Sequence, residues 1–494
     1  MTYEKRCLLN IFVPTFYNLM NKYLRFTILL LLICFKINAQ YKISVTCNYD
    51  SGMAYLTYHY GKSLNIEDSG KVNDKGMVVF QGNHPLQQGI YALVLPGKRY
   101  SIDFLVSDVQ TISIDADTTK LPEVKISGSK DNERFVNYQK FVNEKGRMLM
   151  AERDAYMRSK TKADSSLHEA NYIKLNTEIN QYREDLIQNY PGSLMATLFN
   201  AMKEAPYPTK APVTRQDTLN NYYFYKQHYW DGINFMDDRI IRTPFFLPKL
   251  ERYYREVMQQ APDSLIKDID NRLLYARNAP EMYKLLLNWF TDEYINPKYM
   301  GQDKVFIHLF EKYHSKGLTP WLTEKQMEII TRRAYMQMAN QLGEAAANLE
   351  LLDTAGKPRP LYDLNSDYTV VIFWDPNCGH CKEEVPRLDS IYRASWKAKK
   401  VKIYAVLSEK EDQKANWTKF IREHHITDWT NVYQSKKQAD EETASNRPNF
   451  RQLYDVVTTP TLYLLDKEKR IIGKKLTLLQ MNDLLETKIK TAVQ

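Results

Sequence analysis

The sequence predicts a multidomain chain with an N-terminal antiparallel β-sandwich, an all-α middle domain and a C-terminal α/β domain. Three observations predict it. Residues 41–129 alternate apolar and polar positions in short runs split by Gly and Asp turns. Residues 131–340 carry apolar positions three and four apart, with Gly scarce through much of the stretch. From about Gly343, short apolar runs alternate with helical stretches, the pattern of a layered α/β domain. The length of 494 residues agrees, since roughly 150 residues per domain suggests about three domains.

Composition excludes several classes. Hydrophobic residues make up 44% and charged residues 26%, which rules out wholesale disorder and a collagen-like fibre. Mean hydropathy is −0.52, and there is one long apolar run, so this is not a multi-span membrane protein. The formal charge is +9. Without residues 1–39, 63 basic residues face 58 acidic ones, a net +5. That balance gives no case for a nucleic-acid partner.

At the N-terminus, Phe26 to Phe35 reads FTILLLLICF, with Lys22 and Arg25 ahead and small Ala39 behind. Basic flank, short apolar run and small-residue exit describe a signal peptide over 1–39, with cleavage after Ala39 and export to the periplasm or cell envelope. A membrane span needs about 20 apolar residues, so an anchor is the weaker reading. A lipid anchor on Cys34 would follow bulky Ile33, which argues against it. Met20 makes a more ordinary start than Met1.

Over 41–129 the predicted strands are Tyr41–Cys47, Met53–Tyr60, Met77–Gln81, Ile90–Leu95, Tyr100–Val106, Thr111–Asp115 and Val124–Ser127. Short alternating strands with turns such as Asp74-Lys75-Gly76 suggest an antiparallel sandwich. Alternation in YKISVTC puts Cys47 on a buried face, as an inert core thiol. Nothing here carries chemistry. The helical domain over 131–340 is punctuated by prolines such as Pro262, Pro280 and Pro320. Its aromatic stretch His228-Tyr229-Trp230-Asp231 reads as helix packing rather than a ligand groove, and His308 and His314 as ordinary helix residues. The domain over 342–494 has predicted strands Thr369–Trp374, Val401–Val406, Asn431–Tyr433, Thr461–Leu465 and Ile471–Gly473. Helices are predicted at Lys382–Ser395, Asp412–His425 and, shorter, Asn449–Tyr454.

The chain has five cysteines, Cys7, Cys34, Cys47, Cys378 and Cys381, and cleavage leaves three. That is too few for a disulfide-stapled scaffold. A structural zinc site needs four ligands, and Cys378-x-x-Cys381 has no second pair; adjacent His424 and His425 read as exposed helix residues. The chemistry lies in VVIFWDPNCGHCKEEVPRLDSIY, Val370 to Tyr392. An apolar strand runs into Trp374, then a turn, and the tetrad Cys378-Gly379-His380-Cys381 opens a helix. A helix N-terminus has unpaired N–H groups and partial positive charge, so a thiolate there is stabilised. Cys378 is therefore the expected nucleophile. Cys381, one turn on, is placed to close a disulfide with it. A protonated His380 would favour the thiolate further, and Gly379 leaves the approach open.

This segment resembles the thioredoxin fold. It has FWxxxCxxC, a helix proline at Pro386, and a downstream Thr459-Pro460 that would be the cis-proline facing the dithiol. The lead-in LGEAAANLELLDTAGKPRPLYDL resembles that of the TlpA/ResA-like branch of the redoxin superfamily. More loosely, the whole chain is similar to Bacteroidetes envelope proteins with a β domain and a helical domain ahead of a thioredoxin-like one. The resemblance implies a thiol-disulfide oxidoreductase with no cofactor beyond the redox-active Cys378–Cys381 pair. It also implies disulfide-containing or dithiol envelope proteins as partners and a membrane electron donor. Pro460 would lay backbone beside the dithiol for an extended substrate, and Trp374 would pack beside the motif and shape the docking face.

Some positions depart from the pattern. Asn377 stands where thioredoxin has a Trp, and Ile372 where it has a buried Asp that helps proton transfer. Glu383 and Glu384 read as surface helix residues. The tetrad matches that of protein disulfide isomerase, which argues against a very strongly reducing couple. Two alternatives stay open. A peroxiredoxin-like thiol peroxidase would have Pro and Thr where Val371 and Asp375 stand. A non-catalytic envelope binding protein would use Cys378–Cys381 as a structural clip.

Overall fold

The computed structural model describes residues 40–493 apart from Pro122, Thr209 and 409–412. The signal-peptide reading, the Met20 start and Cys34 lie outside the described residues. Among the described residues, no helix is long and apolar enough to cross a membrane. The chain forms two compact units, one reaching Arg252 and one beginning at Tyr253.

In the first unit, the strands are β1 (Tyr41–Cys47), β2 (Met53–Tyr60), β3 (Ser63–Lys71), β4 (Met77–Gly82), β5 (Gly89–Val94), β6 (Ser101–Val106), β7 (Thr111–Ala116) and β8 (Lys125–Ser127). They build two four-stranded sheets, ordered β4-β1-β7-β8 and β3-β2-β5-β6. Alternation in β1 buries Tyr41, Ile43, Val45 and Cys47. Ile43, Val45, Phe80 and Ile114 of one sheet share a core with Leu56, Leu93 and Phe104 of the other, so the two sheets form a sandwich. Cys47 sits in that core. Its thiol donates to the Gly76 carbonyl at 3.4 Å, and burial pushes it above its ordinary value. At Gly76 the backbone has φ 71°, and a Cβ would stand 2.1 Å from the Cys47 carbonyl oxygen, so the turn requires glycine.

Two features differ from the sequence expectation. β1 and β7 pair in parallel, so the sandwich is not wholly antiparallel; the chain completes the second sheet before returning beside β1. β3 was not predicted, because it buries none of its residues. It is an edge strand, and an edge strand without a buried face shows no apolar period to read.

The same unit carries α1 (Lys130–Arg158), α2 (Lys162–Asn189), α3 (Leu194–Met202), α4 (Arg215–His228) and α5 (Phe246–Arg252). Ser129 caps α1 by accepting from the Asn132 N–H. The fully buried Asn132 side chain then bonds Leu105 of β6 both ways, each at 2.7 Å. Ile90 and Leu105, on the outer face of the second sheet, pack under Phe135, Tyr138 and Leu198. Tyr229 and Trp230 are buried, while His228 meets Asp231 at 2.6 Å at the surface. The aromatic cluster is packing, as expected.

The second unit opens with α6 (Pro262–Tyr275), α7 (Pro280–Tyr294), α8 (Asp303–Leu309) and α9 (Glu324–Met338). Pro262 and Pro280 stand in the first turns of their helices, where a missing N–H costs nothing. The helical stretch read over 131–340 is thus divided between the two units at Arg252. His314 is 2% exposed and meets the Thr291 hydroxyl at 2.9 Å.

The rest of this unit is a layered α/β fold. Its strands are β9 (Glu350–Asp353), β10 (Pro358–Pro360), β11 (Tyr368–Trp374), β12 (Val401–Leu407), β13 (Thr430–Tyr433), β14 (Thr461–Leu465) and β15 (Ile471–Lys474). Its helices are α10 (Gly379–Ile391), α11 (Lys414–Glu423), α12 (Lys436–Ala444), α13 (Phe450–Leu453) and α14 (Leu478–Val493). The seven-stranded sheet runs β10-β9-β13-β12-β11-β14-β15. β11 pairs in parallel with β12 and antiparallel with β14. It is buried on both faces. Val370, Ile372 and Trp374 join α10, α11 and α14 on one face, and Val371 and Phe373 join α13 on the other. β9 and β10 were not predicted; they are short, and Pro358 and Pro360 weaken the strand signal.

Candidate functional site

β11 ends at Trp374, and a hydrogen-bonded turn hands the chain to α10. The Asp375 carboxylate accepts from the Asn377 N–H at 2.8 Å, and the Asp375 carbonyl accepts from the Cys378 N–H at 3.1 Å. Cys378 is thereby the N-cap of α10, and its carbonyl accepts from the Lys382 N–H. Its sulfur stands at the end of the helix where N–H groups have no intrahelical partner.

The two thiols are unequal. Cys381 is fully buried, while Cys378 is partly exposed, and both are free. Burial by itself would push the Cys378 thiol up. Hydrogen bonds from the Cys381 N–H, the Thr459 hydroxyl, the Cys381 thiol and the His380 N–H outweigh that and hold it below its ordinary value. Burial pushes Cys381 up to about 12; the Asp375 backbone opposes the rise, and the bond to Cys378 adds to it.

The structure brings most of the sequence-predicted residues together. The Cys378 thiol donates to the Thr459 carbonyl at 3.4 Å, and the Thr459-Pro460 bond is cis. A Cβ added at Gly379 would meet open space, so the approach there is unobstructed. His380 is exposed and contributes its backbone N–H. Trp374 packs beside the motif but lies beneath its surface. It is fully buried in the core that holds Cys381 and Val385, its ring 5.0 Å from that of Phe420. Strand alternation sends it under α10, so it supports the motif from behind and shapes no docking face. Ile372 is fully buried on the same face and supplies no carboxylate. Glu384 pairs with Arg387 at 2.9 Å on the surface of α10.

Other contacts had no sequence signal. Asn377 donates to the Gln413 side chain at 2.8 Å, and Arg451 donates to the Ser408 carbonyl at 2.7 Å. Arg333 reaches Asp455 across 122 residues of sequence. Such pairings exist only once the chain is folded.

Comparison with known proteins adds family information. Residues 342–474 match the AhpC/TSA family. Residues 168–340 and 35–135 match two domains of unknown function, DUF5106 and DUF4369. A thiol-disulfide oxidoreductase ResA of Bacillus cereus is 24% identical over 134 residues, covering 27% of this chain and 69% of that protein. Among solved structures, a domain of a possible thiol-disulfide isomerase from Cytophaga hutchinsonii is 38% identical, covering 31% of this chain and 95% of that one, with a TM-score of 0.27. A thioredoxin-like protein from Bacteroides caccae is 23% identical, covering 58% of this chain and 98% of that one, with a TM-score of 0.46.

Proposed function

With a redoxin domain of the TlpA/ResA-like type in its C-terminal part, the chain is a thioredoxin-like thiol-disulfide oxidoreductase, and we propose that it is exported and uses the Cys378–Cys381 dithiol to reduce or exchange disulfides of envelope proteins. The inequality of the two thiols carries this reading. One is partly exposed and held below its ordinary value by hydrogen bonds, and its neighbour is buried and held protonated. The order of events follows from that difference.

The Cys378 thiolate attacks one sulfur of a substrate disulfide. That S–S bond breaks, a mixed disulfide forms, and the other substrate sulfur leaves and takes up a proton. Cys381 then attacks the Cys378 sulfur while its proton passes to the departing substrate sulfur. The substrate leaves with two electrons and two protons more, and Cys378 and Cys381 are joined. A membrane electron donor resets the pair. Run backwards, the same steps oxidise substrate thiols. Thr459 and Pro460, beside Cys378, offer backbone to an extended substrate.

The test is reduction of insulin disulfides by the mature chain with dithiothreitol. Turnover that disappears in Cys378→Ser is the expected result. A Cys378–Cys381 disulfide that resists reduction until the chain unfolds would make the pair a structural clip. The AhpC/TSA match favours a second reading, a thiol peroxidase. Val371, where that chemistry would have Pro, is buried inside β11, and Asp375 stands in place of Thr. Peroxide consumption by the reduced chain, without disulfide reductase activity, would favour the peroxidase.

A further inference from the structure

Asp455 lies two residues after α13 and four before Thr459. It is 1% exposed, and both Arg333 and Lys475 form ion pairs with it. Arg333 is carried on α9, outside the α/β fold. Its Nε donates to the Ile295 carbonyl just past α7 at 3.2 Å, so the guanidinium is braced between α7 and Asp455. A second tie runs alongside, from the Asn340 side chain to the Leu453 carbonyl at 3.1 Å. Beyond Val456 the segment comes to the surface, and Val457 is 64% exposed. At its far end Thr459 touches Cys378. The segment is therefore held at Asp455 and delivers Thr459 to the thiol. A buried ion pair is a poor source of net stability, because desolvating the charges cancels most of the attraction. What it supplies here is a defined position.

We propose that Arg333 is a positioning residue of the dithiol site: through Asp455 it fixes the segment 455–459, and with it the Thr459 groups that face Cys378. The helical segment ahead of the redox fold then takes part in setting how reactive the thiol is. This rests on the reading of Cys378 as the nucleophile.

The experiment follows alkylation of Cys378 by iodoacetamide against pH in the reduced full chain, for the native protein, Arg333→Met and Arg333→Lys. The Thr459 hydroxyl is the group on this segment that favours the Cys378 thiolate, and weakening its bond changes the thiolate population by about fivefold. Arg333→Met is expected to lower the rate at neutral pH by about that factor and to move the profile to higher pH. Arg333→Lys, which keeps the charge, is expected to recover most of the loss. Hydrogen exchange at 456–459 is expected to quicken in Arg333→Met. Superimposed profiles for native and Arg333→Met would overturn the proposal. If Arg333→Met does not fold, Asp455→Asn replaces it, with the same shift expected and the same superposition overturning it. A native chain that alkylates at Cys378 yet reduces no insulin would sink the oxidoreductase reading and leave the positioning role to its own profiles.

Discussion

At the end of β11 a single partly exposed thiol is surrounded by backbone N–H groups, a hydroxyl and a second thiol. At the end of β15, Lys474 and Lys475 meet Asp303 and Asp455, carboxylates that are 4% and 1% exposed. The same unit thus handles ionisation in two ways. Around Cys378, neutral dipoles stabilise the anion without a fixed counter-charge that a substrate would have to displace. Around β15, Lys474, Asp303 and Asp455 are buried while Lys475 stays exposed, and each is matched by an opposite charge within hydrogen-bonding distance. The ionic ties at Asp455 hold the helices to the sheet edge and bear on the thiol through the segment 455–459.

Four experiments would break or sharpen that contrast. The largest effect belongs to the dithiol. Cys381→Ser should stop the cycle after the first attack, with turnover down by about a thousandfold and a mixed disulfide accumulating on Cys378. A variant that turns over normally would show that Cys381 resolves nothing. Next is the buried pair at β15. Lys474 donates to Asp303 at 2.6 Å and to the Asn340 carbonyl at 2.7 Å, and burial pushes its amine below its ordinary value. Asp303→Ala leaves that charge unpaired and should cost about 3–5 kcal/mol in chemical denaturation, with little change in the alkylation of Cys378.

The third effect is a pH dependence. Burial pushes His314 down to about 4, so it is neutral in the folded chain and binds a proton more readily when unfolded. Its contribution is fully present above pH ~6.5 and is lost as pH falls through about 4. Denaturation midpoints should drop across that window, by an amount equivalent to about 3 kcal/mol, and the drop should be missing in His314→Gln. The smallest effect is Glu384→Ala. Its partner Arg387 has a side chain 71% exposed, so stability should change by less than about 0.5 kcal/mol and turnover should hold. A large loss of turnover would instead make Glu384 a proton carrier for the dithiol.

Legibility in the sequence followed physical type. Buried strands were readable, since Val370 to Trp374 is an unbroken apolar run and Tyr41–Cys47 a clean alternation. Strands β3, β9 and β10 were not: β3 is an edge strand that buries nothing, β9 is only four residues long, and β10 carries prolines. The Cys378–Cys381 motif could be placed on a helix N-terminus from local order alone. Trp374 packs beside the motif as expected but shapes no docking face, because exposure depends on which face of β11 meets α10. Nothing local marks Arg333 as a partner of Asp455.

By itself the sequence located the Cys378–Cys381 pair and the order of strand and helix around it. Those depend on residues within a few positions of one another, where backbone geometry leaves few choices. Tertiary structure alone decided that Cys381 is buried while Cys378 is open, that Thr459 stands against the thiol, and that α9 braces the segment leading to it. Each of these requires desolvation or contact between distant parts of the chain, and both arise only when the layers pack.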